Sequence, residues 1–277
     1  MQLSIGFSPC PNDTFIFYAI LNNKINTYNI EYQWVMDDVE TLNQRAFGES
    51  HLPPLDISKL SYHALAYVLA DYRLLNAGSA LGNRCGPLLI CKQQQMTTDL
   101  HNNNVVIPGK FTTANFLLQF AYPQLTDCGT LVFSEIENAL LKNQAAAGVI
   151  IHENRFTYQQ RGLQLICDLG EYWEQTTGFP IPLGGIAINR NLPTAVQKTV
   201  DKTIRESLEY AYCHTDEVLA WVRQFAQEMD EAVMLQHIRL YVNDYSLKLG
   251  ETGRAAVRYF LQHIPASATW TDDEIFV

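Results

Sequence analysis

The chain has 277 residues, of which 47% are hydrophobic, 11% aromatic and only 17% charged. That balance is the reverse of a disordered chain and supplies a substantial core for one large domain or two lobes. The formal charge of −10, from 29 acidic and 19 basic residues, argues against a nucleic-acid or anionic-membrane surface; a small anionic substrate, met by a few local cations, stays open.

Met1 leads directly into an apolar segment and then a Pro/Asn/Asp loop, with no basic region, apolar run or small-residue cleavage site of an export signal. No apolar run approaches the roughly 20 residues of a membrane span. Cys10, Cys85, Cys91, Cys128, Cys167 and Cys213 are scattered singly and read as free thiols. The expectation is a soluble cytoplasmic protein. Along the chain, strands are predicted at residues 3–7, 30–36, 74–77, 87–91, 105–107, 130–133, 148–151, 163–167 and 185–188. Helices are predicted between them at 13–21, 39–47, 62–70, 112–122, 134–142 and 172–177. This alternation signals an α/β fold with mostly parallel sheets. After Leu192 only helices follow, at 194–214, 216–227, 231–242 and 251–263, the first with Val196, Val200, Ile204, Leu208 and Ala211 on one buried face. No linker or repeat separates these parts. Punctuation at Gly86-Pro87 and at Pro180 to Gly185 suggests one lobe from both chain ends (1–87 plus 181–277) and one from the middle (88–180), with a ligand cleft between them.

Four segments carry candidate chemistry. Ser8-Pro9-Cys10-Pro11-Asn12-Asp13-Thr14 sits between the first strand and first helix, at a strand's carboxyl end where ligands bind; it reads equally as a stiffened turn with Asn12 or Asp13 as helix N-cap. Nothing near Cys10 in sequence would lower its pKa. In Ile57-Ser58-Lys59-Leu60-Ser61-Tyr62, Lys59 is placed to meet a carboxylate with Ser61 adding a hydrogen bond, although a capping serine beside a surface lysine accounts for the same spacing. Gly109-Lys110-Phe111-Thr112-Thr113 follows a strand and opens an apolar helix, so two hydroxyls, a lysine and free N–H groups gather at a glycine turn. Ile150-Ile151-His152-Glu153-Asn154-Arg155-Phe156 is the sharpest feature. An apolar strand ends in a histidine, which titrates near neutrality and suits a general base, and Arg155 is placed either to clamp a carboxylate or to pair with Glu153 or another acid. The other histidines, including His101 and His237, lack ligand spacing. No metal or nucleotide motif is present, so no cofactor is expected. Asp37-Asp38-Val39-Glu40 reads as a capped helix start.

Taken together these blocks resemble the 1,4-dihydroxy-6-naphthoate synthase family. The resemblance is carried by Gly6 to Phe17, Asp38-Val39-Glu40-Thr41-Leu42-Asn43, Lys59-Leu60-Ser61-Tyr62 and Ile150-Ile151-His152-Glu153. Gly86-Pro87-Leu88, Thr112-Thr113, Arg155-Phe156-Thr157-Tyr158, Asp168-Leu169-Gly170, Pro182-Leu183-Gly184 and Tyr241-Val242-Asn243 extend it in order over nearly the whole chain. Asn154, Phe111 and the stretch 52–57 depart from the family pattern.

The resemblance implies a two-lobed fold similar to type 2 periplasmic solute-binding proteins, used as a cytoplasmic lyase of the futalosine route to menaquinone. It implies conversion of cyclic dehypoxanthine futalosine to 1,4-dihydroxy-6-naphthoate with release of dihydroxyacetone, with no metal or other cofactor. The family's general base falls on His152. Its substrate contacts fall on Lys59, Leu60 and Ser61 and on Thr112 and Thr113, with Asn12, Asp13 and Arg155 as further candidates. The expected partner is a small carboxylate substrate, with neither nucleic acid nor a membrane span, and the protein is expected as a monomer or homodimer. Chorismate dehydratase of the same pathway and a non-catalytic carboxylate-binding protein are the alternative readings.

Overall fold

The computed structural model describes residues 1–92, 104–151, 154–226, 230–267 and 269–277. The chain begins β1 (Gln2–Phe7), α1 (Pro11–Leu21), β2 (Glu31–Met36), α2 (Val39–Ala46), β3 (Ile57–Ser61), α3 (Tyr62–Val68), β4 (Tyr72–Leu74) and β5 (Ala80–Gly82). It continues with β6 (Leu88–Cys91), β7 (Val105–Ile107), α4 (Thr113–Ala121), β8 (Gly129–Thr130), α5 (Ile136–Leu141), β9 (Ala147–Ile150), α6 (Asn154–Thr157), β10 (Gln164–Asp168) and α7 (Leu169–Thr177). It ends with β11 (Ile181–Asn189), α8 (Thr194–Cys213), α9 (Thr215–Val222), α10 (Glu231–Tyr241), α11 (Asp244–Leu247), α12 (Gly250–Gln262) and α13 (Asp272–Ile275). Two units result: Met1–Gly82 with Pro182–Val277, and Asn83–Ile181.

In the first unit a six-stranded sheet runs β2-β1-β3-β11-β4, with β5 paired to β11. β1 is parallel to β2 and β3, whereas β11 is antiparallel to β3 and β4. In the second unit a five-stranded sheet runs β10-β6-β9-β7-β8, parallel around β7 and antiparallel around β6. Both sheets are therefore mixed, which corrects the expectation of mostly parallel pairing. Helix–strand alternation reports which elements form; strand direction depends on where each connection re-enters the sheet, and periodicity does not encode that.

β3 and β5 fall in none of the predicted strands, and β3 is the one that carries candidate site residues. All five residues of Ile57-Ser58-Lys59-Leu60-Ser61 are buried, between β1 and β11. Three polar side chains in five positions conceal the apolar signature of a central strand. The same lesson holds for α1, whose residues from Pro11 to Ile20 are all buried. A helix enclosed on every side normally carries apolar residues throughout, yet Asn12, Asp13 and Thr14 lie in its first turn. Their polar groups require internal partners.

The apolar face predicted for α8 is observed: Val200, Ile204, Leu208 and Ala211 are fully buried in the core that includes Phe15, Ile16, Tyr18 and Ile186. The second unit has its own core, built on Leu88, Ile90, Val106, Ile136, Leu140 and Ile150. Gly148 on β9 is required by that packing, since a Cβ there would come within 2.6 Å of Ile136 on α5. Gly86 and Gly170 bring two backbones together, with a Cβ at Gly86 falling 2.3 Å from the Gly170 Cα.

Asp201 on α8 is a buried carboxylate, accepting from the Ala77 N–H at 2.9 Å. Burial raises its pKa above the ordinary aspartate value, against the lowering effects of that N–H and of Arg205. The folded state therefore binds the proton more readily than the unfolded state, and stability declines as pH rises through the window just above the usual aspartate range. Asp201→Asn removes this dependence. The stability of the variant relative to wild type should rise as pH increases above the usual aspartate range, read as the difference in thermal midpoint at each pH.

Candidate functional site

The turn after β1 and the middle of β3 meet in a buried polar cluster of the first unit. Cys10 is the residue before α1 and offers no side-chain cap; Pro11, lacking an N–H, occupies the first helical position. Neither Asn12 nor Asp13 caps the helix, which corrects the capping alternative. Instead the Asp13 carboxylate reaches back, and its Oδ2 accepts from the Ser8 backbone N–H at 3.1 Å and the Ser8 hydroxyl at 2.7 Å. Its Oδ1 accepts from Asn12 Nδ2 at 2.7 Å and lies 3.0 Å from Lys59 Nζ. The Lys59 side chain is 5% exposed and that of Asp13 is 2% exposed, so this is a fully desolvated ion pair rather than a surface lysine.

The carboxylate that meets Lys59 thus belongs to the protein. Lys59 donates a second bond to the Gly78 carbonyl at 3.0 Å, leaving one of its three N–H groups without a partner among the described residues. The pair is electrically neutral as a unit, so what it offers a ligand is a directed donor rather than net charge. Ser61, two positions along β3, is tied to α2: its N–H donates to Asn43 Oδ1 at 3.0 Å, and Asn43 Nδ2 lies 3.2 Å from its hydroxyl. Asp38 caps α2 as predicted, accepting from the N–H groups of Glu40 and Thr41. Leu60 between these two polar residues is 1% exposed and packs in the core.

In the second unit, Thr112 caps α4. Its hydroxyl donates to the Gly109 carbonyl at 2.7 Å and accepts from the Asn115 N–H at 3.2 Å, so that group is committed to the turn. Thr113 is buried at the first helical position, and Lys110 is exposed, with its Nζ 5.8 Å from the centre of the Phe111 ring. Arg155, at the second position of α6, donates to the Gly86 carbonyl at 2.5 Å and pairs with Asp168 at 3.4 Å. Its acid is therefore Asp168, which also caps α7 through Gly170 and Glu171. Asn154 donates to Glu137 Oε2 at 2.7 Å, and Glu137 also pairs with Arg161. Burial pushes the Cys85 thiol up to about 12, with nearby Arg155 pulling the other way, so it is a neutral thiol. His152, Glu153 and His101 lie outside the described residues.

Two participants were not visible in the sequence. His237 on α10 is fully buried and its Nε2 sits 2.9 Å from Asn12 Oδ1, across 225 positions of chain. Asn43 is fully buried against Ser61. Neither has a local signal, since a histidine or asparagine inside an amphipathic helix looks the same whether it faces solvent or a distant partner. Among the described residues, no group of three or more His, Cys, Asp or Glu is arranged to hold a metal, and no helix is long and apolar enough to cross a membrane.

A family described as menaquinone biosynthesis matches residues 3–266. The chain belongs to that family. It is 41% identical over 261 residues to the 1,4-dihydroxy-6-naphthoate synthase of Thermus thermophilus, covering 94% of this chain and 93% of the relative. It is 38% identical over 270 residues to the synthase of the same name from Streptomyces coelicolor, covering 95% and 93%. These relatives make the chain an enzyme of menaquinone biosynthesis. Among solved structures it is similar to the Candida albicans CA3427 product, described as having the generic periplasmic binding protein fold, with a TM-score of 0.64 at 14% identity over 99% of this chain and 93% of that one. The fold is that of the periplasmic binding proteins.

The Asp13–Lys59 pair can be tested directly. Asp13→Asn or Lys59→Met alone should each cost about 3–5 kcal/mol, because each strands a buried partner. The double variant should cost clearly less than the sum of the two. Urea unfolding of the four proteins checks this, and additive losses would show that the two side chains are not energetically coupled.

Proposed function

We propose that the protein converts cyclic dehypoxanthine futalosine to 1,4-dihydroxy-6-naphthoate with release of dihydroxyacetone, as a cytoplasmic carbon–carbon lyase with His152 as general base. The observation that carries this reading is the 41% identity to a named naphthoate synthase over 94% of the chain. The order and length of the sequence blocks around Ser8–Thr14, Lys59–Ser61 and Ile150–Glu153 support it.

In this reading neutral His152 takes a proton from the sugar-derived part of the substrate. The carbon–carbon bond to the three-carbon fragment then breaks, the fragment leaves as dihydroxyacetone, and aromatisation of the remaining naphthalene drives the reaction forward. The two products together account for all atoms of the substrate, so the steps as written consume no oxidant or reductant. The remaining Lys59 N–H and the Ser61 segment suit hydroxyl or carbonyl oxygens, because Asp13 already balances the Lys59 charge. Thr113 and the N–H groups at the start of α4 suit the aromatic carboxylate, with the Thr112 hydroxyl holding the turn that presents them. Arg155, paired with Asp168, serves chiefly to anchor α6.

The test is to incubate the purified chain separately with cyclic dehypoxanthine futalosine and with chorismate, and to read the products by mass spectrometry. Naphthoate and dihydroxyacetone are expected from the first and no product from the second; the opposite result would transfer the chain to chorismate dehydration. His152→Ala should keep the wild-type circular dichroism spectrum while turnover falls by about 10²–10⁴-fold. Substantial activity in that variant would remove His152 as the base.

A further inference from the structure

We propose that His237 is a positioning residue of the Lys59 site, acting through a buried relay of hydrogen bonds from α10 to Asn12, Asp13 and Lys59. The inference rests on the proposed assignment of Lys59 to the substrate, and it gives a task to a histidine that no motif singles out.

The polarity of the relay follows from its end groups. Asp13 faces the Lys59 ammonium and the Ser8 N–H and hydroxyl, so its carboxylate is the acceptor for all of them. An ionised carboxylate only accepts, so the Asn12 amide must turn its NH₂ toward Asp13 Oδ1, 2.7 Å away. That orientation leaves Asn12 Oδ1 facing His237, and an amide oxygen also only accepts. The 2.9 Å contact therefore requires the proton on His237 Nε2. Every link is enclosed: His237 is 0% exposed, Asp13 1%, Lys59 4% and Asn12 6%. A group that loses its partner at such burial carries the desolvation cost of an unmade hydrogen bond.

The same logic states what His237 prevents. Without its N–H, Asn12 Oδ1 is a buried acceptor with no other donor among the described residues, and the amide is no longer held against turning over. A turned amide would set its oxygen against the Asp13 carboxylate and push Asp13 and Lys59 out of register. The His237 ring is itself held at a centroid distance of 4.5 Å from Tyr241 one turn later, so a rigid helix face, rather than a mobile side chain, fixes the far end of the relay. The role is positional: His237 reaches Lys59 only through Asn12 and Asp13.

His237→Leu and His237→Gln separate this role from packing, since glutamine can still present an N–H to Asn12 and leucine cannot. With cyclic dehypoxanthine futalosine, His237→Leu should lose about tenfold to a hundredfold in kcat/KM, and His237→Gln should recover most of that loss. Nitrogen-15 NMR of histidine-labelled wild-type protein, without ligand, should show His237 protonated at Nε2. The unfolding losses of His237→Leu and Lys59→Met should be non-additive. Wild-type kinetics in His237→Leu, an equal kinetic loss in both variants, an unprotonated Nε2 or strict additivity would each overturn the proposal. The spectrum and the unfolding cycle need no substrate. A wild-type protein that leaves the futalosine substrate untouched would therefore sink the proposed function without touching these two readouts.

Discussion

The buried ion pair between Asp13 and Lys59 joins the first helix to the central sheet of the first unit. Removing two charges from water is costly, and their attraction offsets that cost only when every remaining lone pair and proton is satisfied. Asp13 meets the condition with four donors drawn from Ser8, Asn12 and Lys59. That demand explains why the segment Ser8 to Thr14 is polar although it enters a helix buried on all sides. It also explains how a lysine can occupy β3 in the middle of a sheet. The sheet, the first helix and a helix from the last third of the chain are thereby joined at one point, by polar contacts where an apolar core would suffice for stability alone. A core that keeps such groups in spite of their cost is expected where they also serve a ligand.

The second unit uses its polar residues in a comparable way, with acids that serve two partners each. Asp168 caps α7 with one oxygen and meets Arg155 with the other. Glu137 holds Asn154 and Arg161 together. Asn154 and Arg155 are the two described residues that follow His152 and Glu153 in sequence, and they are tied to α5, to the Gly86 carbonyl and to the start of α7. Each anchor is a directional bond to a separate element. Residues 154 and 155 are thus held by directional bonds rather than by bulk packing.

Much of the architecture was legible from periodicity. The long seam of α8, the helices α1 and α2 and the strands β1, β6 and β9 all match predicted segments to within two residues at each end, because apolar residues at strand or helix spacing, or a capping acid such as Asp38, mark them in the sequence. β3 was not legible, since its polar Ser58, Lys59 and Ser61 break the very pattern that announces a central strand. The candidate residues Asn12, Asp13, Lys59 and Ser61 were found individually from their places between elements. That two of them form one ion pair was not, because a contact across 46 positions leaves no trace in local spacing. His237 and Asn43 lie beyond the reach of single-sequence reading for the same reason.

These pairings also change what the charge of −10 means for an anionic substrate. Residues 1–185 hold 10 basic and 16 acidic residues, and the remaining 92 hold 9 and 13, so neither stretch attracts an anion by net charge. Three local cations were candidates to compensate. Lys59 is neutralised by Asp13 and Arg155 by Asp168, while Lys110 is exposed beside Phe111, where water screens it. A carboxylate recognised by this protein would then be held chiefly by aligned N–H and hydroxyl donors, which desolvate at low cost and impose direction. Such a site discriminates by shape and hydrogen-bond pattern more than by charge.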